Sequence, residues 1–572
     1  MVSFIMAKFL RPSRPVRASL GRSLVALSIL ATACTGGGGA SLDEKAGGDG
    51  PDRSEPRQHA GAGVWRSSAC RLPKALVERV HRDFYPGRSP ELIVVPKRPN
   101  YFGGFIGTSH SGPWDYVQKV PIVFYGPGFI KPLGKLRMDR EVTVADIAPT
   151  LAELLDTPFP AEDRPGTSIS QALAPATGRR PELVLVVVWD GGGSNVLEAH
   201  PNEWPNLARL IEGGTSVQNA TVGSSPSSTP PIHTNIGTGA FPRQHGIVDI
   251  SLRIDGDIVD SFKDMSPRYM EIPTLADLYD RAVGNRAEVG AFGYIGWHLG
   301  MMSHGSYIRG GDDDIAVLYE NSGEGFTSSR WYELPEYVNS IDGIESDIQE
   351  VDADDGRVDD EWFGNDVFDN PFDIKHSPAA ALYQNRVIKE LLRREGFGGD
   401  DVTDLFFTNY KAPDAVGHVY NMLSPESRSA LRLTDEALGD LVSILDETVG
   451  KKRWAMVVTA DHGQTPLPTS TSAWPINMTE FEHDLAGQLG ADGDDLFDRT
   501  RPGHLWVNET ALEEAGATMD DMVAAVLDYR ASQNVASRDL PEGYAQRLGE
   551  KMFDAAWPSE VTDDVWKCVS SR

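Results

Sequence analysis

Leu183-Val184-Leu185-Val186-Val187-Val188-Trp189-Asp190-Gly191-Gly192-Gly193 is the stretch on which the fold turns. Seven apolar residues run without a polar break and end on an aspartate and three glycines. A strand buried on both faces has this pattern, whereas a half-exposed strand alternates apolar and polar residues. The run predicts a strand inside a parallel sheet, with Asp190 at its carboxyl end. Ligands of open α/β sheets bind beyond the carboxyl ends of the strands, so Asp190 is placed for chemistry. The glycines would let a ligand approach the backbone closely.

Similar runs at 287–292, 404–409 and 454–460 alternate with helical patterns at 274–282, 378–395 and 424–449. Strands alternating with helices predict an α/β fold: a doubly wound, mostly parallel central sheet with helices on both faces. The acidic, Gly/Asn-rich stretch 310–375 is read as an insertion. Nearer the N-terminus, strand-like runs at 92–96 and 120–125 precede a helical pattern at 143–155, and 171–180 resembles a linker. Composition alone would make 75–175 a small separate domain.

The first 34 residues stand apart. A basic leader precedes a short apolar run, Leu24 to Ala31, then Thr32-Ala33-Cys34. That is the layout of a secretory signal and too short for a membrane span. Small residues before Cys34 resemble a bacterial lipoprotein signal, although Ala31 stands where leucine is usual. Residues 35–64 read as a disordered tether. The protein is expected to be exported, secreted or held at a bacterial cell surface by a lipid on Cys34. Of three cysteines, Cys70 and Cys568 then remain. In an oxidising compartment they suggest a disulfide joining the ends of the folded region, the alternative being two free thiols. With 53 basic and 83 acidic side chains the formal charge is −30, which disfavours nucleic-acid binding. An anionic substrate then needs a local positive centre, which metal ions would supply.

Two further strands lead into possible ligands. The 404–409 run is followed by Asp414-Ala-Val-Gly-His418, and the 454–460 run by Asp461-His462-Gly463. Carboxylates mixed with imidazole suit zinc. Singly, an aspartate after a strand is more often a cap or turn residue. Three on successive strand ends are harder to dismiss. The segment Ser228-Thr229-Pro230-Pro231-Ile232-His233 adds a nucleophile: prolines open a helix readily, placing Thr229 at the cap beside the positive end of the helix dipole, where a phosphate is accommodated.

Asp190, the Thr229-Pro-Pro-Ile-His segment, Phe241-Pro-Arg-Gln-His245-Gly-Ile247, Asp414-x-x-x-His418 and Asp461-His462-Gly463 together resemble the alkaline phosphatase superfamily. The likeness is greatest to its branch of type I phosphodiesterases and nucleotide pyrophosphatases, over most of 183–300 and 377–466. The resemblance implies two Zn2+ ions and a small-molecule phosphoester substrate hydrolysed through a phospho-threonine on Thr229. One ion would be held by Asp190, Asp461 and His462, the other by Asp414, His418 and one more histidine. In the family that histidine usually follows the Asp-His pair, in a His-Gly-x-x-Tyr-Asp stretch leading to a Val-Pro strand. Here such a stretch comes early, as His110-Ser-Gly-Pro-Trp-Asp115-Tyr116 before Val120-Pro121. The resemblance then implies a circular permutation, with 65–176 as the family's C-terminal part and 177–572 as the main part. His504, in Arg501-Pro-Gly-His504, is the alternative ligand. The branch's asparagine after His-Gly-Ile is absent, because Val248-Asp249-Ile250 follows; His304 and Arg309 are candidates to face the phosphoryl group instead. A phosphomonoesterase, or an inactive surface binding protein on the same fold, remains the competing reading. Oligomeric state is not disclosed by the sequence.

Overall fold

In chain order the strands of the two principal sheets are β1 (Leu92–Pro96), β2 (Ile122–Tyr125), β3 (Gly134–Leu136), β4 (Leu183–Trp189), β5 (Thr215–Val217), β6 (Val289–Gly293), β7 (Ile315–Tyr319), β8 (Phe326–Thr327), β9 (Asp404–Tyr410), β10 (Trp454–Thr459), β11 (Phe497–Arg501), β12 (His504–Val507) and β13 (Phe553–Pro558). These are seen in a computed structural model that describes residues 63–572 except 106, 176–177, 321, 494 and 536–539. The export signal read in 1–34, Cys34 included, lies outside the described residues, as does all of the 35–64 tether but its last two residues.

The main sheet has nine strands in the order β8-β7-β6-β9-β4-β10-β2-β5-β3. From β7 to β10 every neighbouring pair is parallel. β2 runs antiparallel to both its neighbours, and β8 closes the other edge antiparallel to β7. All seven residues of β4 are buried. Alternate residues face opposite layers, as the two-residue repeat of a strand requires. Val184, Val186 and Val188 join one core, which includes α1 (Ile147–Leu154) and α2 (Thr229–Thr238). Leu183, Leu185, Val187 and Trp189 join the other, with α3 (Pro378–Arg394) and α4 (Pro425–Leu445). The continuous apolar run therefore serves two cores at once.

One expectation changes. Residues 310–375 are not merely an acidic insertion: Ile315-Ala-Val-Leu-Tyr319 is fully buried as β7 and extends the sheet beside β6. Acidic surroundings masked a short apolar run. β2, within 75–175, pairs with β10 in the main sheet, so these residues are not the small separate domain that composition alone would make.

The satellite sheet, in the order β11-β12-β1-β13, is wholly antiparallel and has its own core around Trp474, Phe481 and Trp557. The C-terminal helix Thr562–Ser570 carries Cys568, which is disulfide-bonded to Cys70, with Cα atoms 5.7 Å apart and a sequence separation of 498. Among the described residues no helix is long and apolar enough to cross a membrane.

A crosslink between such distant residues restricts the unfolded chain. The double variant Cys70→Ser/Cys568→Ser is expected to lose about 2–4 kcal/mol of unfolding free energy in denaturant titration. An unchanged midpoint would show that the bond contributes nothing.

Candidate metal centre and nucleophile

Strand order explains the convergence. β4 lies between β9 and β10, so three neighbouring strand ends, spaced about 4.8 Å apart, open on one edge. Asp190 follows β4. Asp414 sits in the first turn of the helix Ala412–Tyr420 after β9, with His418 one turn later, and Asp461 and His462 follow β10. Loops this close need backbones without side chains between them. A Cβ on Gly191, whose φ is +68°, would stand 2.9 Å from the Asp414 Cα, and one on Gly193 would stand 2.4 Å from the Gly463 Cα. The glycines thus admit neighbouring loops, where the sequence suggested a ligand.

The ligand-type atoms gather in two groups. His110, Asp414 and His418 form one, and Asp190, Asp461 and His462 the other; within each, the atoms lie within 4.8 Å of one another. His462 Nε2 stands 3.4 Å from Asp461 Oδ2, 3.6 Å from Asp190 Oδ1 and 3.9 Å from Asp414 Oδ1, which links the groups. His418 Nε2 lies 3.3 Å from Asp414 Oδ1. The His110 ring stacks on that of His462 at 3.7 Å between centroids.

Hydrogen bonding sets how the rings are protonated. A backbone carbonyl can only accept, so an imidazole nitrogen facing one carries the proton. His110 Nδ1 faces the Ser227 carbonyl at 2.8 Å, His418 Nδ1 that of Thr108 at 2.9 Å, and His462 Nδ1 that of Gly463 at 3.0 Å. In the neutral rings each Nε2 lone pair is then free. The Asp414 Oδ1, Asp461 Oδ2 and His462 Nε2 atoms are buried without hydrogen-bond partners, and Asp190 Oδ1 faces only an ammonium. Acceptors aimed at acceptors repel one another unless a cation lies between them, so this donor set fits a metal pair.

One cation is built in. Lys411 Nζ lies 2.6 Å from Asp414 Oδ2 and 3.1 Å from Asp190 Oδ1. Burial disfavours charge on both carboxylates, but Lys411 offsets it at Asp190, and His418 with Lys411 does so at Asp414, leaving both pKa values below the ordinary range. Asp461 is different: burial and the adjacent Asp190 charge push it well above that range. A single ammonium does not neutralise three carboxylates.

Thr229 is buried and begins α2, with Ser228 as the cap residue, one position from the expected arrangement. Pro230 and Pro231 remove the next two amide hydrogens, so the helix start offers fewer donors than the sequence suggested. His233, one turn on, donates Nδ1–H to the Thr229 carbonyl at 2.9 Å and accepts from Asn409 Nδ2 at 3.1 Å. Asn409 Nδ2 is also 3.1 Å from Asp190 Oδ2. His298 accepts the Tyr294 N–H on Nδ1, which turns its Nε2–H toward Asp190 Oδ2 at 3.6 Å. Lys411, Asn409, His233 and His298 were missed in the sequence. Lys411 left a signal as a charge directly after an apolar strand, and His233 as the last residue of the Thr229-Pro-Pro-Ile-His segment.

The remaining candidates lie elsewhere. His504 is clamped between Asp249 Oδ2 at 3.0 Å and Asp83 Oδ2 at 3.4 Å, so both ring nitrogens face carboxylates and neither is directed at the two groups. His304 pairs with Asp277 Oδ2 at 2.6 Å, and Arg309 is exposed. Among the described residues, no hydrogen bond or ion pair ties His304 or Arg309 to the carboxylate cluster.

Residues 184–566 match the family described as type I phosphodiesterase / nucleotide pyrophosphatase. The chain belongs to that family. It is 26% identical over 349 residues to alkaline phosphatase PhoV of Synechococcus elongatus, covering 52% of this chain and 62% of that protein. To alkaline phosphatase PafA of Elizabethkingia meningoseptica it is 24% identical over 403 residues, covering 60% of this chain and 72% of that one. The solved structure of wild-type PafA superposes with a TM-score of 0.51 at 20% identity, over 67% of this chain and 85% of that one, and shares its fold. His110 precedes the family match, yet its ring stacks on that of His462, inside it.

Burial would lower the pKa of His504, but its two carboxylate partners raise it to about 9. A pKa raised on folding stabilises fully below about 6.5, the unfolded value, and that contribution is lost as pH climbs through 9. In 13C-histidine NMR the His504 ring is expected to titrate near pH 9. Titration near 6.5 would contradict the clamp.

Proposed function

We propose that this chain is a two-metal phosphoester hydrolase of the phosphodiesterase / nucleotide pyrophosphatase type, with Thr229 as nucleophile. The observation that carries the proposal is that Nδ1 of each of the three histidines faces a backbone carbonyl, which in the neutral ring leaves Nε2 for a cation. Asp190, Asp461 and His462 would hold one zinc ion and Asp414, His418 and His110 the other. Zinc bound there would supply Lewis acidity, lowering the pKa of a neighbouring hydroxyl and offsetting phosphoryl charge.

The chain's own part is positioning. The Thr229 Oγ attacks phosphorus as the alcohol or phosphate leaves, and water then hydrolyses the phospho-threonine. His233 fixes the first turn of α2 through the Thr229 carbonyl, and Asn409 fixes Asp190. The Thr229 N–H makes no backbone hydrogen bond among the described residues and heads a helix, so it is available to a phosphoryl oxygen. Ser227 ties this segment to His110 in both directions, through its carbonyl and its hydroxyl.

Residues 65–176 would be the family's C-terminal part, permuted to the front; the pairing of β2 with β10 and the position of His110 support this reading. The Cys70–Cys568 bond suits an exported protein, in keeping with the leader. A phosphomonoesterase is the second reading, favoured by the names of the relatives PhoV and PafA.

Thr229→Ala should cut turnover at least about a thousandfold with zinc content unchanged; retained turnover would move the attack to another hydroxyl. Bis(4-nitrophenyl) phosphate should be cleaved with higher kcat/KM than 4-nitrophenyl phosphate. Preference for the monoester would favour the second reading.

A further inference from the structure

His504 found no place in the proposed reaction, yet it is one member of a buried polar chain that ends beside the nucleophile. Asp83 closes the helix Lys74–Asp83, His504 opens β12, Asp249 follows the Gly246 turn, and Ser228 precedes Thr229. Each is 2% exposed. His504 bridges Asp83 and Asp249, and the free oxygen of Asp249, Oδ1, accepts the Ser228 hydroxyl at 3.0 Å and the Ile250 N–H at 2.7 Å.

Burying two carboxylates and an imidazole costs more than a well-packed apolar cluster of similar size, so stability alone does not account for the set. The position of Ser228 gives it a use. A serine at a helix cap ordinarily accepts from the amides two and three residues on, but here those residues are Pro230 and Pro231 and have no N–H. Its side chain makes no capping bond. The hydroxyl is instead a donor, and Asp249 is its acceptor.

We infer that Asp249, oriented by His504 and Asp83, positions Thr229 for attack by fixing the Ser228 hydroxyl, which acts as the positioning residue of the nucleophile. Asp249 spends both oxygens in this way. The satellite sheet, through β12, thereby sets the geometry of a reaction on the main sheet. The inference rests on Thr229 being the nucleophile.

A double-mutant cycle in kcat tests it, using Ser228→Ala, Asp249→Asn and the pair, with bis(4-nitrophenyl) phosphate as substrate. Each single variant should lower kcat about tenfold with KM and zinc content within about twofold, and the double variant should lose little more than the worse single. Unchanged kcat in Ser228→Ala, or losses that multiply to about a hundredfold in the double variant, would overturn it. If Asp249→Asn does not fold, His504→Gln replaces it in the same cycle with the same criteria. Failure of the nucleophile assignment would be read separately, as wild-type turnover in Thr229→Ala.

Discussion

Three carboxylates brought together out of water are the constraint that the rest of the structure answers. Asp190, Asp414 and Asp461 are at most 3% exposed. Two like charges 4 Å apart repel by about 4 kcal/mol at an effective dielectric of 20, which is comparable to much of the stability of a folded domain. Lys411 meets part of the demand by lying against two of them. At Asp461, burial and the neighbouring Asp190 charge disfavour the ionised form. What remains is a set of buried ligand-type atoms, Asp414 Oδ1, Asp461 Oδ2 and His462 Nε2, without hydrogen-bond partners, which suits divalent cations.

The same constraint separates histidines that a motif search treats alike. His110, His418 and His462 spend Nδ1–H on backbone carbonyls and point a lone pair inward. His298 is reversed by the Tyr294 N–H and serves as a donor toward Asp190, while His504 stands between two carboxylates as a cation. Partner type, more than residue type, distinguishes a ligand from a support.

The apolar runs made most of the sheet legible, because a strand buried on both faces has little freedom in sequence: β4 was expected over the residues it occupies, and β9 and β10 were expected to within one residue. β7 was hidden by acidic neighbours, since five apolar residues carry little periodicity. The clustering of Asp190, Asp414 and Asp461 was legible because each follows a strand of the sheet, whereas His110 came only from the family resemblance. Lys411, Asn409 and His233 were not, because their roles come from contacts between β4, β9 and α2 that no local spacing encodes. Gly191 was noticed for its lack of a side chain, and the neighbour that property admits is Asp414.

Metal stoichiometry by inductively coupled plasma mass spectrometry tests the central claim most directly. Protein purified without chelator and equilibrated with zinc should hold about two ions per chain, and His110→Ala about one. A chain that binds no zinc, or a His110→Ala variant that still binds two, would contradict the account.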